Sequence, residues 1–427
     1  MNQRSQILLR VGLFSASILT IFLRRPDFFL EPRLWAEEGQ IYFAYACTHP
    51  WYVSLFNIQL GYLALWPNIA TTVAANFVSL LYVPLFTTLF AFVVQLVPVV
   101  LILWSDSDLW SHPAKIVAGV LTILFAPLSN EVWLNTINSQ FYFAVVTFLI
   151  LLIEIDVRPL GKWSSRVLLA LAGLTGPISC ILFPLFFLKA RWEKKQERVI
   201  QTYILAACFA VQLVAFLTMR GSSTSPARAL MLNLPLFISV LWTQDIGLLL
   251  FGIANMTELA QFIEASRTNG LILGFIVFSL LVAEGLFFLL VSSRLTVSQR
   301  IVFAGSFFLF VGLSVVGGLG IESFKYLLLF PGNGGRYFYA PNVVLMFFLL
   351  ANSQWQGKAF NKVRSGTCIV LLGIALILGM AQYQYPMRFT DTGPNWKEEV
   401  AKWERDPAYA IRIWPVGWQI EIPHQHK

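Results

Sequence analysis

The sequence predicts an all-α, polytopic integral membrane protein, and three observations carry that prediction. Of 427 residues, 57% are hydrophobic and only 12% are charged, whereas a soluble domain carries about 25% charge. The apolar residues come in runs near the roughly 20 that a spanning helix needs. Those runs lack the alternation of a transmembrane strand, and in hydrocarbon only helices or a closed barrel pair every backbone amide. A mean hydropathy of +0.69 agrees. So do 14 Trp, 13 Tyr and 37 Phe, because aromatic rings favour membrane interfaces.

Spans are predicted over 6–23, 83–104, 114–127, 140–155, 199–219, 270–291, 301–319, 337–352 and 365–385. A further stretch, 167–190, is broken at Thr175-Gly176-Pro177 into two half-spans. No small-residue cleavage site follows Leu23, so the first run reads as an uncleaved span. The run 234–253 carries Gln244 and Asp245, which leaves it open between a span, a re-entrant piece and an interfacial helix.

The net charge of +8 does not indicate nucleic acid, because the basic residues sit in short loops between apolar runs. The loops 156–166, 189–198, 292–300 and 353–364 are the basic ones and are assigned to the cytoplasm. With 234–253 taken as interfacial, about eleven crossings result, with the N-terminus inside and the C-terminus outside. Arg24, Arg25 and Arg33 then fall outside, against the trend. Cys47, Cys180, Cys208 and Cys368 are widely spaced with no C-x-x-C pair, so neither a disulfide framework nor a zinc site is indicated.

This divides the chain into a transmembrane domain, 1–385, with a large first outer loop at 24–82, and an extracytoplasmic tail, 386–427. In the tail, Asn395 and Glu398 have the spacing of a capping box. Trp396, Val400 and Trp403 share one face of the helix that follows, and Glu398 and Lys402 are set for an i,i+4 pair. Alternation on either side of Pro415-Val416-Gly417 predicts a hairpin. At about 40 residues the tail is too small to hold a core alone, so it is expected to pack on the outer face of the bundle.

Chemistry concentrates in three clusters. In the segment Pro32 to Ala46, Glu37 and Glu38 lie among Trp35, Ile41, Tyr42, Phe43 and Tyr45. A partly desolvated carboxylate has a raised pKa and serves as a base. On α-helical spacing Glu38, Tyr42 and Tyr45 share a face and Glu37 points about a quarter turn away. The alternative is a pair of solvated acids at a membrane surface.

An acidic pair in the first outer loop, after an N-terminal span and before an aromatic residue, resembles the GT-C superfamily of membrane glycosyltransferases. Trp35-Ala36-Glu37-Glu38-Gly39, with the later Gly61-Tyr62-Leu63 and Pro67, is similar to bacterial GT-C-like multi-spanning proteins, which often read Ala-Glu-Asp-Gly at this point. Glu38 departs from that pattern by one methylene, and the base stays open between Glu37 and Glu38. The resemblance implies a bacterial inner-membrane enzyme that takes sugar from a polyprenyl-phosphate donor entering from the bilayer. The acceptor would be an envelope glycan, a lipid or a protein. One carboxylate would act as base or hold a divalent cation, Mg or Mn. An inverting hexosyl or pentosyl transfer also needs positive charge on the departing phosphate.

The second cluster suits that phosphate. Pro331-Gly332-Asn333-Gly334-Gly335-Arg336-Tyr337 is a glycine-rich turn running into a helix start, where backbone N–H groups favour an anion. Arg336 adds a bidentate donor, Gly334 and Gly335 the backbone, and Lys325 is near in sequence. Arg220 and Arg228 are weaker alternatives, and a loop with an interfacial anchor is the plain one. In the third cluster Glu131, Asn135 and Asn138 fall at i, i+4 and i+7, one face of a helix at a span mouth. They suit sugar hydroxyls or an interhelical hydrogen-bond network. Gln95, Glu284 and Asp245 are isolated polar residues in apolar runs, of the kind that mark ion pathways or face a helix partner. No metal site, nucleophilic triad or Walker-type loop is evident.

A transporter or flippase is the competing function, and it predicts inverted repeats and paired charges at the midplane. A non-catalytic assembly protein is the third, and it predicts an outer groove with no carboxylate near basic residues.

Overall fold

The computed structural model describes residues 3–155, 158–219, 233–291, 295–319, 326–353, 359–383, 393–406 and 408–423. The chain is an all-α bundle with two small antiparallel hairpins, Ile58–Gln59 with Tyr62–Leu63 and Ile411–Ile413 with Trp418–Ile420. Among the described residues, seven helices are long and apolar enough to cross a bilayer: Arg4–Arg24, Leu80–Trp104, Gln196–Met219, Leu234–Thr268, Gly270–Phe288, Val297–Val315 and Lys362–Tyr383.

Two shorter helices, Ser139–Leu152 and Arg336–Asn352, are apolar around their whole circumference and almost wholly buried. A helix with no polar face belongs in the centre of a bundle, and the lipid-facing helices surround these two. Phe148 of the first meets Phe347 of the second and Phe303 of Val297–Leu319, with ring centroids 6.2 and 5.7 Å apart.

The break at Thr175-Gly176-Pro177 separates helix Pro159–Leu174 from Pro177–Cys180 and Phe183–Glu193. Gly176 has φ 147°, and a side chain there would strike Gln140. The run that begins at 234 extends to Thr268 as a long apolar helical stretch that is mostly buried in the bundle. Leu234–Leu241, a π-helical turn Trp242–Ile246 and Gly247–Ala265 follow one another; Leu234–Leu241 packs on Gly270–Val291, the π-turn on Arg336–Asn352 and Gly270–Val291, and Gly247–Ala265 on Ala359–Tyr383. The backbone leaves helical geometry at Gly252, which sits on Leu378 with φ 79° and ψ 174°.

The two ends of the bundle differ in character. At one end Glu154 donates its backbone N–H to Asp106, and Lys189 and Arg198 bind the carbonyls that finish helix Ser139–Leu152. The other end gathers the first loop, the 126–138 turn, Thr175 and the 326–335 turn. There Trp66 N–H donates to Thr175 Oγ1, and Gln212 bridges Leu63. The three arginines that oppose the charge trend are all engaged at this end. Arg24 is sandwiched between the rings of Trp133 and Tyr383 at 4.1 and 4.0 Å and donates to Ser129 and Asn130. Arg25 and Arg33 share Asp27.

The tail packs on the first loop. Trp396, Trp403, Ile411, Ile413 and Ile420 form one core with Leu34, Phe43 and Val83, and burying each such side chain is worth about 1.5–3 kcal/mol. Helix Trp396–Arg405 starts at Asn395, whose side chain accepts the N–H groups of Lys397 and Glu398. Lys402 pairs with Glu399 at 2.7 Å, not with Glu398, because Glu399 is the buried acid that also receives Arg412 and Tyr409.

Candidate functional site

The site starts from a π-helical turn, Glu38–Phe43. Ahead of it Ala36 is held at φ 27°, a left-handed conformation that costs an alanine energy. The tail holds it there: Ala36 N–H donates to the Trp414 carbonyl, and Trp414 N–H donates to Leu34 O at 3.1 Å. Gly39 lies against Ile413, where a side chain would overlap.

The wider turn overturns the expected facing. In a π-helix residues i and i+5 align, so Glu37 and Tyr42 look the same way and Glu38 looks elsewhere. Glu38 is 2% exposed. It accepts the N–H of Thr136 at 3.0 Å, the hydroxyl of Thr136, and Thr87 Oγ1 at 3.4 Å. Burial pushes its carboxyl up, and those bonds offset part of the rise. Glu38 is thus a tie between the first loop and the 126–138 turn. Because Glu37 and Glu38 diverge, they do not form a joint cation site, and among the described residues no three His, Cys, Asp or Glu side chains converge.

Glu37 and Tyr42 open onto a cavity of about 220 Å³, and Arg336 lines it from the start of the central helix Arg336–Asn352. Tyr62, Asn138, Gln140 and Ser314 supply its other polar groups, and Ile137, Ile178 and Leu313 its apolar wall. Gln140 Nε2 donates to Tyr62 at 3.3 Å. Larger hollows exist, one of about 420 Å³ at the basic end and one of about 630 Å³ between the first loop and the tail. Of these, the smaller cavity is the one that joins an acid of the first loop to Arg336.

The 126–138 segment is a series of turns and not a helix, with Leu128 and Leu134 at φ 61° and 50°. Asn135 and Asn138 do not share a helix face with Glu131. Both donate to the Glu131 carbonyl, at 2.8 and 2.7 Å, and Asn138 also reaches the cavity. The Glu131 carboxylate accepts the Arg336 N–H at 3.3 Å and lies 3.9 Å from its Nε. Burial raises the Glu131 carboxyl, and the Arg336 charge offsets part of that rise. The free helix start that the glycines were expected to offer a phosphate is therefore occupied by a carboxylate from the protein itself. Gly334 and Gly335 shape the turn and do not line the cavity. Lys325, Arg220 and Arg228 lie outside the described residues.

In the sequence Tyr62 stands out only within Gly61-Tyr62-Leu63, and neither Gln140 nor Ser314 is singled out. Ser314 sits in an unbroken apolar run with no local signal. It faces the site because its hydroxyl donates to the Tyr337 carbonyl at 2.6 Å.

The chain matches no protein-family model and no curated protein sequence.

Proposed function

We propose that the protein is a GT-C-like membrane glycosyltransferase that moves a sugar from a polyprenyl-phosphate donor to an envelope glycan, lipid or protein acceptor. The observation that supports this is the meeting of Glu37 and Arg336 in one cavity, at the end of the bundle away from the basic loops. Glu37 takes the proton of the acceptor hydroxyl while that oxygen attacks the anomeric carbon. The bond from that carbon to the phosphate oxygen breaks, and Arg336 stabilises the departing polyprenyl phosphate. Tyr42, Asn138 and Gln140 are placed for sugar hydroxyls. Glu38 is assigned to structure and not to the base.

The reading takes the N-terminus as cytoplasmic, the tail as extracytoplasmic and the membrane as a bacterial inner membrane. On this reading Leu234–Thr268 enters and leaves by the outer side. The ring of Tyr326 in the outer turn stacks with Arg267 at 4.3 Å, and the start of Val297–Leu319 lines the basic-end hollow with Lys189. Transfer of radiolabelled sugar from a polyprenyl-phosphate donor in membranes tests the proposal. Glu37→Gln should abolish transfer at normal protein levels, and full transfer in that variant overturns it. A second reading, transport or flipping of a lipid-linked substrate, is favoured by two buried acids, Asp245 and Glu284.

A further inference from the structure

Asp245 sits in the π-helical turn Trp242–Ile246 and is 0% exposed. Neither of its carboxylate oxygens has a hydrogen-bond partner among the described residues, and the same holds for Glu284 Oε1. Glu284 lies on Gly270–Val291, which packs on the same segment, and its charge acts on Asp245. Buried acids are ordinarily paired with a cation or supplied with donors. Among the described residues the elements around the turn bring neither to the Asp245 oxygens. Leu234–Leu241 carries no ionisable group, and Gly247–Ala265 carries Glu258 and Glu264 in its distant half. Arg336–Asn352 carries Arg336, Tyr337 and Tyr339, and Arg336 is committed to Glu131 and the cavity. Leu327–Leu329 follows Tyr326, whose ring takes Arg267 of the adjoining Ser266–Thr268 turn. Ala359–Tyr383, which packs on Gly247–Ala265 and Gly270–Val291, carries Lys362 and Arg364 in its first two turns and Tyr383 at its end. Two ionised carboxylates in one apolar interior repel, which favours a proton on one of them.

We infer that Asp245 and Glu284 form a proton-binding pair inside the bundle. One carboxylate takes up a proton from water, which removes one of the two like charges. Loss of that proton restores two like charges and drives the helices apart. The pair has a route to the candidate cavity. Adjacent Gln244 donates to the carbonyls of Leu328, Phe330 and Asn333, in the turn that leads to Arg336. Its own carbonyl accepts from Asn342, six residues into the central helix. A change of spacing at Asp245 therefore pulls on the turn that presents Arg336. This inference does not rest on sugar transfer and holds equally for a transporter.

Dicyclohexylcarbodiimide, an apolar reagent that modifies protonated carboxyls, tests it on the full-length protein in membranes, with mass spectrometry as the readout. Asp245 or Glu284 should be labelled, labelling should fall as the pH rises, and Asp245→Asn should remove or relocate the adduct. Protection by sodium or potassium at constant pH would mean a metal cation occupies the pair, and that overturns the proton assignment. Absence of adduct on both residues at every pH also overturns it. If Asp245→Asn fails to accumulate, the infrared carbonyl band of a protonated carboxyl in the wild-type protein decides: a pH-dependent band sustains the inference, and its absence ends it.

Discussion

The Glu131 carboxylate accepts the backbone N–H of Arg336 at 3.3 Å, so the start of the central helix is capped by an acid from a different turn. Any anionic group drawn to Arg336 must compete with that acid. On the glycosyltransferase reading the competitor is the donor phosphate. Glu131→Gln should lower the donor KM by about fivefold, the equivalent of roughly 1 kcal/mol for one charge at a helix start. Burial holds the Glu131 carboxyl above the usual carboxylate range, and Arg336 offsets only part of that. Mild acid should therefore neutralise it early and strengthen donor binding, and Glu131→Gln should lack this response. Steady-state kinetics across pH check both outcomes, and an unchanged KM removes the competition.

Glu37 and Glu38 are adjacent in sequence and opposite in consequence. Glu38→Ala leaves Thr136 N–H and hydroxyl without their acceptor and should cost about 2–3 kcal/mol of stability. Glu37→Gln should leave the thermal midpoint in detergent unchanged while abolishing transfer. Because burial raises the Glu38 carboxyl, its contribution to stability is complete below the ordinary carboxyl range and is lost as the pH climbs through the raised value. Glu38→Gln, permanently neutral, should not show that decline. A pH series of melting curves for the two proteins is the measurement.

Glu399 behaves in the opposite sense. Burial alone would raise its carboxyl, but hydrogen bonds from Arg412, Lys402 and Tyr409 outweigh it and bring it from an ordinary 4.5 to about 2. The stability it confers is present above pH 4.5 and is lost as the pH falls toward 2. Allowing for the exposure of Arg412 and Lys402, that contribution is roughly 2 kcal/mol. Glu399→Gln should loosen the tail at neutral pH, seen as faster hydrogen exchange over 396–420 with the spanning helices unaffected. Equal exchange in the two proteins would show that the tail is held by its apolar core alone.

Reporter fusions placed after residues 160, 195 and 296 should all report the cytoplasm. One outer signal among them overturns the assignment of Glu37 and Arg336 to the extracytoplasmic side.

The spanning helices were legible because a helix in hydrocarbon announces itself by run length alone. The break at Gly176 and the cap at Asn395 were legible because each needs a residue with particular backbone or side-chain chemistry. The facing of Glu37 was not. A π-turn differs from an α-turn by one inserted residue, and nothing in Glu38–Phe43 signals it. It arises from distant contacts, Thr136 pulling Glu38 inward and Ile413 closing on Gly39. The 126–138 turns were misread for a related reason. Asn135 and Asn138 have helical spacing, but their side chains bind the Glu131 carbonyl and hold the chain in turns. The run from 234 stays open between a span, a re-entrant piece and an interfacial helix because of Gln244 and Asp245, and the Gln244 amide is consumed by carbonyls more than eighty residues away.

The strand pairing of Leu34 and Ala36 with Trp414 also bears on how the protein is made. The ribosome releases the acidic segment early, and the segment that clamps it emerges only after every helix has been threaded into the lipid. Until then Ala36 has no reason to hold its unfavourable geometry, and Glu37 has no fixed aim. Completion of this corner thus waits for the segment around Trp414. A chain that loses its final thirty or so residues would insert normally and still leave its first loop unfinished.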